Sequence, residues 1–247
     1  MINLNKLLTH DFIIESIKDG NSITKGLKPK KGDYGFEDEP ILNEYEFYVL
    51  NNEFYLIHLC ELCKQLENAV ELLSNFRYNS KNCISRGDHL TYNIENYFIR
   101  LTSLSDRIFQ VINSTFHLGV DERDVNEKVI LNNFKVSRTN LPKHYNSLRK
   151  TLCNYTGERN VIVHKHSHMD KQLRNIQMLY NEFITKEILK DETFTNHYVE
   201  HRKNQLKKFI AEKKIEFENT NELCFEKLIP IFDEMYKQYI KVKQDLK

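Results

Sequence analysis

Apolar positions recur every three or four residues over most of the chain, and that period belongs to amphipathic helices. Residues 3 to 18 carry Leu4, Leu7, Leu8, Ile14 and Ile17 on or near one face, which predicts a first helix ending at Asp19-Gly20. From there to Pro40 the breakers Gly20, Gly26, Pro29, Gly32 and Gly35 predict a loop. Its small basic cluster, Lys28, Lys30 and Lys31, reads as a solvated linker or as a substrate contact. Pro40 suits a first helical turn, because its fixed φ fits and its missing N–H would go unpaired there in any case. The predicted helix runs to about Phe76 through Leu42, Tyr45, Val49, Leu56, Leu59, Cys63, Leu66, Val70 and Leu73, and residues 79 to 88 break it. A second long helix is predicted over 90 to 118, stopping at Gly119. Two such helices with a short connection should lie antiparallel.

Residues 121 to 133 predict a short helix capped by Asp121, and Arg138 to Pro142 a turn. A further short helix over 143 to 155 turns Tyr145, Leu148 and Leu152 inward, after which Asn154-Tyr155-Thr156-Gly157 reads as punctuation. Helical pattern resumes from about 158 to 188, and one or two long helices follow from about Thr193 onward. Gly (7) and Pro (4) are too scarce for the many turns of a sandwich or barrel, so the expected fold is all-α. At 247 residues a single helical domain, 1 to 247, is the expectation.

Composition narrows the function classes. A formal net charge of +1 gives no broad basic field for coating nucleic acid, although a local basic cleft remains compatible with it. Lys203, Lys207, Lys208, Lys213 and Lys214 read either as a solvated helix face or as a phosphate-contacting flank. Asp11, Glu15 and Lys18 interrupt the apolar residues near the start, and no run reaches the roughly 20 apolar residues that span a bilayer, so a cytoplasmic chain without membrane contact is expected. The five cysteines are scattered and read as reduced thiols. Cys60 and Cys63 have the gap of a metal or redox pair, but they read as small hydrophobes one helical turn apart.

Candidate chemistry concentrates in Gly157-Glu158-Arg159-Asn160-Val161-Ile162-Val163-His164-Lys165-His166-Ser167-His168. Ten arginines and ten histidines would give any fixed spacing about 0.4 times by chance, so the spacing of Arg159 and His164 decides little by itself. Asn160 directly after the arginine, the apolar filler and the unbroken helical run make it specific. Asn160, His164 and His168 recur every four residues and stack on one helix face. If Gly157 ends the preceding turn, Arg159 lies in the first turn of a new helix, where unpaired N–H groups and the dipole favour a phosphate. A histidine can move the proton of a ribose 2′-hydroxyl or of the leaving 5′-oxygen, and an arginine fork can stabilise a phosphorane. RNA would then be cut to 2′,3′-cyclic phosphate and 5′-hydroxyl ends, without a metal or other cofactor.

The Arg159-Asn160-x-x-x-His164 pattern, late in a helical chain, resembles the signature of the HEPN superfamily (higher eukaryotes and prokaryotes nucleotide-binding). The resemblance implies a four- to five-helix bundle over about 40 to 190, with an extra N-terminal helix and loop at 1 to 39 and a C-terminal helical extension over about 191 to 247. It also implies a homodimer with two motifs at one shared cleft, endoribonuclease activity in toxin–antitoxin or phage-defence systems, and an antitoxin protein as a further partner. By resemblance Arg159 and His164 are catalytic, and Asn160 orients the phosphate or the histidine. His168, Arg107 and Lys165 are secondary candidates for substrate contact. Regulated relatives carry a tyrosine two positions after the histidine, where this chain has His166.

Two other readings stay open. The bundle can serve as a non-catalytic module that binds RNA, a nucleotide or a protein. His164, His166 and His168 with Asp170 could instead be metal ligands, although only His164 and His168 share a helical face.

Overall fold

The computed structural model describes residues 4–25, 27, 41–76, 84–164, 171–181 and 192–247, with residues 163, 164 and 192–194 described by backbone alone. All regular elements among them are helices: α1 (Leu4–Leu8), α2 (Asp11–Thr24), α3 (Glu44–Leu72), α4 (Arg86–Thr115), α5 (Glu127–Leu131), α6 (Phe134–Ser137), α7 (Leu141–His164), α8 (Lys171–Leu179) and α9 (Glu192–Asp245). The all-α expectation is met. Pro40, Cys83, most of the 20 to 40 stretch with its lysines, and the end of the predicted 158 to 188 helix lie outside the described residues.

Helix boundaries follow local capping chemistry. Asn43 accepts from the Glu46 N–H while the Glu46 carboxylate accepts from the Asn43 N–H, both at 2.9 Å, a reciprocal box that opens α3. Ser85 and Asp88 repeat the device at α4, at 2.9 and 3.1 Å, so that helix begins four residues before the expected Leu90. Gly119 holds φ +69° just beyond α4, in the left-handed region that suits a residue without a side chain. Asn126 rather than Asp121 caps α5, accepting from the Val129 N–H at 3.1 Å.

The first predicted helix is two. His10 interrupts it and caps α2, its Nδ1 accepting from the Phe12 N–H at 3.2 Å. The predicted stop at Asp19-Gly20 is absent, because α2 continues through Gly20 to Thr24. Gly20 is buried, and a Cβ there would overlap the Glu53 carboxylate of α3, so close packing rather than chain reversal accounts for this glycine.

The chain divides into two compact units: unit one is residues 1–63, 103–150 and 224–247, and unit two is 64–102 and 151–223. In unit one, Tyr48 on α3 donates to the Thr115 carbonyl at 2.9 Å, so the start of α3 meets the end of α4. In unit two, a His89 ring nitrogen lies 3.2 Å from the Leu72 carbonyl, so the end of α3 meets the start of α4. The two helices are antiparallel, as expected.

The core of unit one includes Leu7, Phe12, Leu56, Ile112, Phe116, Leu148 and Phe232, all with no more than 1% of their surface exposed. Several polar groups enter it in bonded sets. Thr115 donates to Asn52 Oδ1 at 2.7 Å, and Asn52 Nδ2 donates to Ser16 at 3.2 Å. The Lys243 side chain, 9% exposed, places Nζ 2.8 Å from Glu15 and 2.5 Å from Asp19, which also accepts from Tyr239 at 2.7 Å. Burial works against the Lys243 charge, but the hydrogen bonds it donates to the two carboxylates, with their negative charge, outweigh it and hold the ammonium above its ordinary pKa. A raised lysine pKa contributes stability that is complete below the unfolded value of about 10.4 and is lost as pH rises through the folded one. The urea midpoint should therefore fall on the alkaline side. Lys243→Met should make that fall shallower while costing about 1.5–3 kcal/mol at neutral pH, and an unchanged alkaline profile in the variant would refute the assignment.

Unit two is built around an aromatic pair. Tyr97 of α4 and Phe217 of α9 are both fully buried and stack with centroids 3.6 Å apart and planes 10° apart. Tyr97 donates to Asn221 Oδ1 at 3.0 Å, and Asn221 Nδ2 donates to the Leu66 carbonyl at 3.0 Å, tying α3, α4 and α9 together. Gly87 lets α8 approach closely, since a Cβ there would come within 2.9 Å of the Gln177 backbone, and Gln177 donates to Thr91 at 2.8 Å. On this part of α9, Lys213 pairs with Glu216 at 2.9 Å, Lys214 with Glu71 at 3.2 Å, and Lys208 more loosely with Glu212 at 3.8 Å. No helix among the described residues is long and apolar enough to cross a membrane.

Candidate functional site

The Arg159-to-His164 motif is carried by α7, whose first turn holds Pro142 and whose start is met by Thr139 accepting from the Leu141 N–H at 3.2 Å. Leu141, Tyr145, Leu148 and Leu152 follow at spacings of four, three and four, and all are buried. Beyond Leu152 the helix rises out of the core. Tyr155, Glu158, Arg159, Val161 and Ile162 are half-buried, whereas Cys153, Asn154, Thr156, Gly157 and Asn160 are exposed.

This continuity corrects the expectation of a helix start at the motif. Gly157 does not end a turn; it sits inside a helix that runs unbroken to His164. A mid-helix glycine costs about 0.5–1 kcal/mol relative to alanine. Interrupting the ladder there would lose several backbone hydrogen bonds, so the helix continues. The motif therefore lies inside α7, far from the helix start, where the backbone N–H groups are already paired within the helix and the positive dipole end is distant. Only side chains there are free to meet an anion.

Tyr155 seats this end of the helix within unit two. Its hydroxyl shares a hydrogen bond of 2.8 Å with Thr220 of α9, and its ring stacks on Phe98 of α4 with centroids 5.7 Å apart. Arg159 follows one turn later on the same face. Its Nη1 donates to Asn160 Oδ1 at 3.3 Å, so the asparagine steadies the guanidinium and leaves the remaining N–H donors for an oxyanion. Neither Tyr155 nor Thr220 was singled out in the sequence; a tyrosine four residues before the arginine was the available signal.

Arg159 and position 164 are separated by about 140° around the axis and about 7.5 Å along it. They do not converge through one backbone. Position 164 instead falls in register with Cys153, Gly157 and Asn160, along a stripe whose other three members are exposed. A Cβ on Gly157 would meet nothing within 4 Å. Of the remaining candidates, Arg107 is an exposed residue of unit one, on the part of α4 that does not belong to the unit carrying the motif. Arg100, also on α4, spends its guanidinium on Gln65 at 3.2 Å and Asn96 at 2.8 Å. Lys165, His166, His168 and Asp170 lie outside the described residues.

No curated protein and no solved structure matches the chain. The family model described as Cthe2314-like HEPN matches residues 47–236, which runs from the first turn of α3 through most of α9 and takes in the whole of α7. That match spans most of the sequence and contains the motif that first suggested the superfamily. The chain belongs to the Cthe2314-like HEPN family.

Proposed function

We propose that the protein is a metal-independent endoribonuclease of HEPN type, active as a homodimer. Its ribonuclease or nucleotide-binding character accords with its family. The observation that carries the finer reading is the Arg159–Asn160 pair, seated by Tyr155 one turn below and presented on the part of α7 that leaves the core. In this reading Arg159 holds the scissile phosphate and stabilises the charge that builds on it. His164 moves the proton between the 2′-hydroxyl, the solvent and the leaving 5′-oxygen. Attack by the 2′-oxygen expels the 5′-oxygen and leaves a 2′,3′-cyclic phosphate. DNA has no such nucleophile and is spared.

Two copies are needed because one α7 does not bring Arg159 and position 164 together. The exposed stripe through Cys153, Gly157 and Asn160 is narrow enough for a second α7 to approach, which supports a shared cleft. A cytoplasmic toxin or phage-defence effector, held in check by an antitoxin protein, is the corresponding biological role.

The test is to incubate purified protein with labelled tRNA and mRNA in excess EDTA and map the ends. Cyclic-phosphate and 5′-hydroxyl ends are expected. The placement of the motif inside a continuous helix, without free backbone donors for a phosphate, favours the rival reading of a non-catalytic binding dimer. RNA bound by the dimer but never cut would establish that rival.

A further inference from the structure

In unit two, α8 and α9 enclose a groove of about 390 Å³, within the range of small-ligand sites. Its floor is apolar, formed by Ile176, Leu179 and Phe209. Its rim is made of amides: Asn175 on α8 and Gln205 on α9 face the same space, and neither makes a hydrogen bond among the described residues. Glu212 completes the rim, its carboxylate held across the groove by Gln172 Nε2 at 3.4 Å. The imidazole of His201 adds a flat face at the edge.

Charge decides what this groove can take. Lys208 and Glu212 are its formally charged side chains apart from the imidazole, and they lie 3.8 Å apart and offset each other. A phosphate would meet the Glu212 carboxylate and gain no net attraction, so the groove does not suit an anion. An apolar floor with an amide rim suits a flat, neutral heterocycle with donors and acceptors on its edge. Side-chain amides pair with such edges because each offers a donor and an acceptor together. A carboxylate adds a preference, since guanine alone among the RNA bases presents two adjacent N–H donors, at N1 and N2, together with an acceptor at O6.

We propose that the α8–α9 groove holds one nucleobase, with guanine favoured through Glu212, and with Asn175 and Gln205 reading the rest of the edge. As a subsite for a base of the RNA substrate it rests on the ribonuclease reading above; as a base-binding groove it does not. A free guanine nucleotide carries the same chemistry.

The test titrates the full-length protein with guanosine, inosine and uridine by calorimetry. Guanosine should bind roughly tenfold more tightly than inosine, which lacks the N2 donor, and Glu212→Gln should erase that difference. Asn175→Ala and Gln205→Ala, both at exposed helix positions, should each weaken guanosine roughly tenfold. The comparison of guanosine with inosine needs no variant, so a folding defect in one of them cannot mask the result. No binding in the millimolar range, or equal affinity for all three nucleosides, overturns the proposal. If the groove variants also change which base flanks the RNA cut, the ligand is the substrate; if they change nucleoside affinity alone, it is a free nucleotide. Guanosine binding with no RNA cleavage would leave the groove standing and remove the ribonuclease reading.

Discussion

His164→Ala is expected to lower RNA cleavage by about a thousandfold while leaving the fold and the oligomeric state unchanged. A positioned general acid–base contributes about 10²–10⁴ in rate. Arg159→Ala should cost about 10²–10³, the range for removing one donor that meets transition-state charge. Arg159→Lys should restore little, because an ammonium cannot present a fork to the phosphate and to Asn160 at once. Single-turnover cleavage of a labelled RNA reads the rate, and sedimentation with circular dichroism checks the dimer and the fold. Undiminished cleavage by His164→Ala would end the assignment.

Phe217→Ala is expected to destabilise the protein by about 3–5 kcal/mol, the cost of emptying a buried phenylalanine site. Phe217 is fully buried against Tyr97, and its ring also packs edge-on against Phe98 at 5.8 Å. A loss of that size corresponds to a drop in Tm of roughly 10 °C for a chain of this length. The same substitution should reach the candidate site, because the opposite neighbour of Phe98 is Tyr155, which seats Arg159. Cleavage should therefore fall at temperatures where the variant is still folded. Phe217→Leu, which keeps most of the volume, should restore most of both. A loss under about 1 kcal/mol in Phe217→Ala would mean that the pair does not anchor unit two.

Helical periodicity made the architecture legible, because long helices with buried faces at three- and four-residue spacing leave a strong pattern. The Leu141, Tyr145, Leu148, Leu152 series of α7 and the Leu90 to Ile112 series of α4 are of that kind. Glycine was where local reasoning failed. Gly20 and Gly157 both look like stops, yet each lies inside a helix, one with the Glu53 side chain of α3 packed against it and the other because the ladder outweighs a modest propensity cost. Propensity is local, and packing overrode it. The opposite error occurred at His10, where an uncommon capping residue divides a run that looked continuous.

For the site, the residue types and their order were readable, and they led to the family. Their placement was not. Taking Gly157 for a terminus put a helix start and its free N–H groups at Arg159, where the structure has the interior of a helix. The Tyr155–Thr220 contact joins residues 65 positions apart, and no periodicity within one helix reveals such a partner. The α8–α9 groove is likewise a product of packing that Gly87 permits.

The salt bridge between Asp19 and Lys243 has a consequence for the order in which the molecule can be made. The two residues are 224 positions apart, and ribosomes add about 5–20 residues per second. For roughly 10–45 s after Asp19 is synthesised, its partner does not exist. Throughout that interval α2 lacks the α9 side chains that cover it, Phe232 and Tyr239 among them. The N-terminal helices thus cannot be the seed of a vectorially growing core. They wait as an unburied, apolar segment, and their docking comes after α9 has emerged.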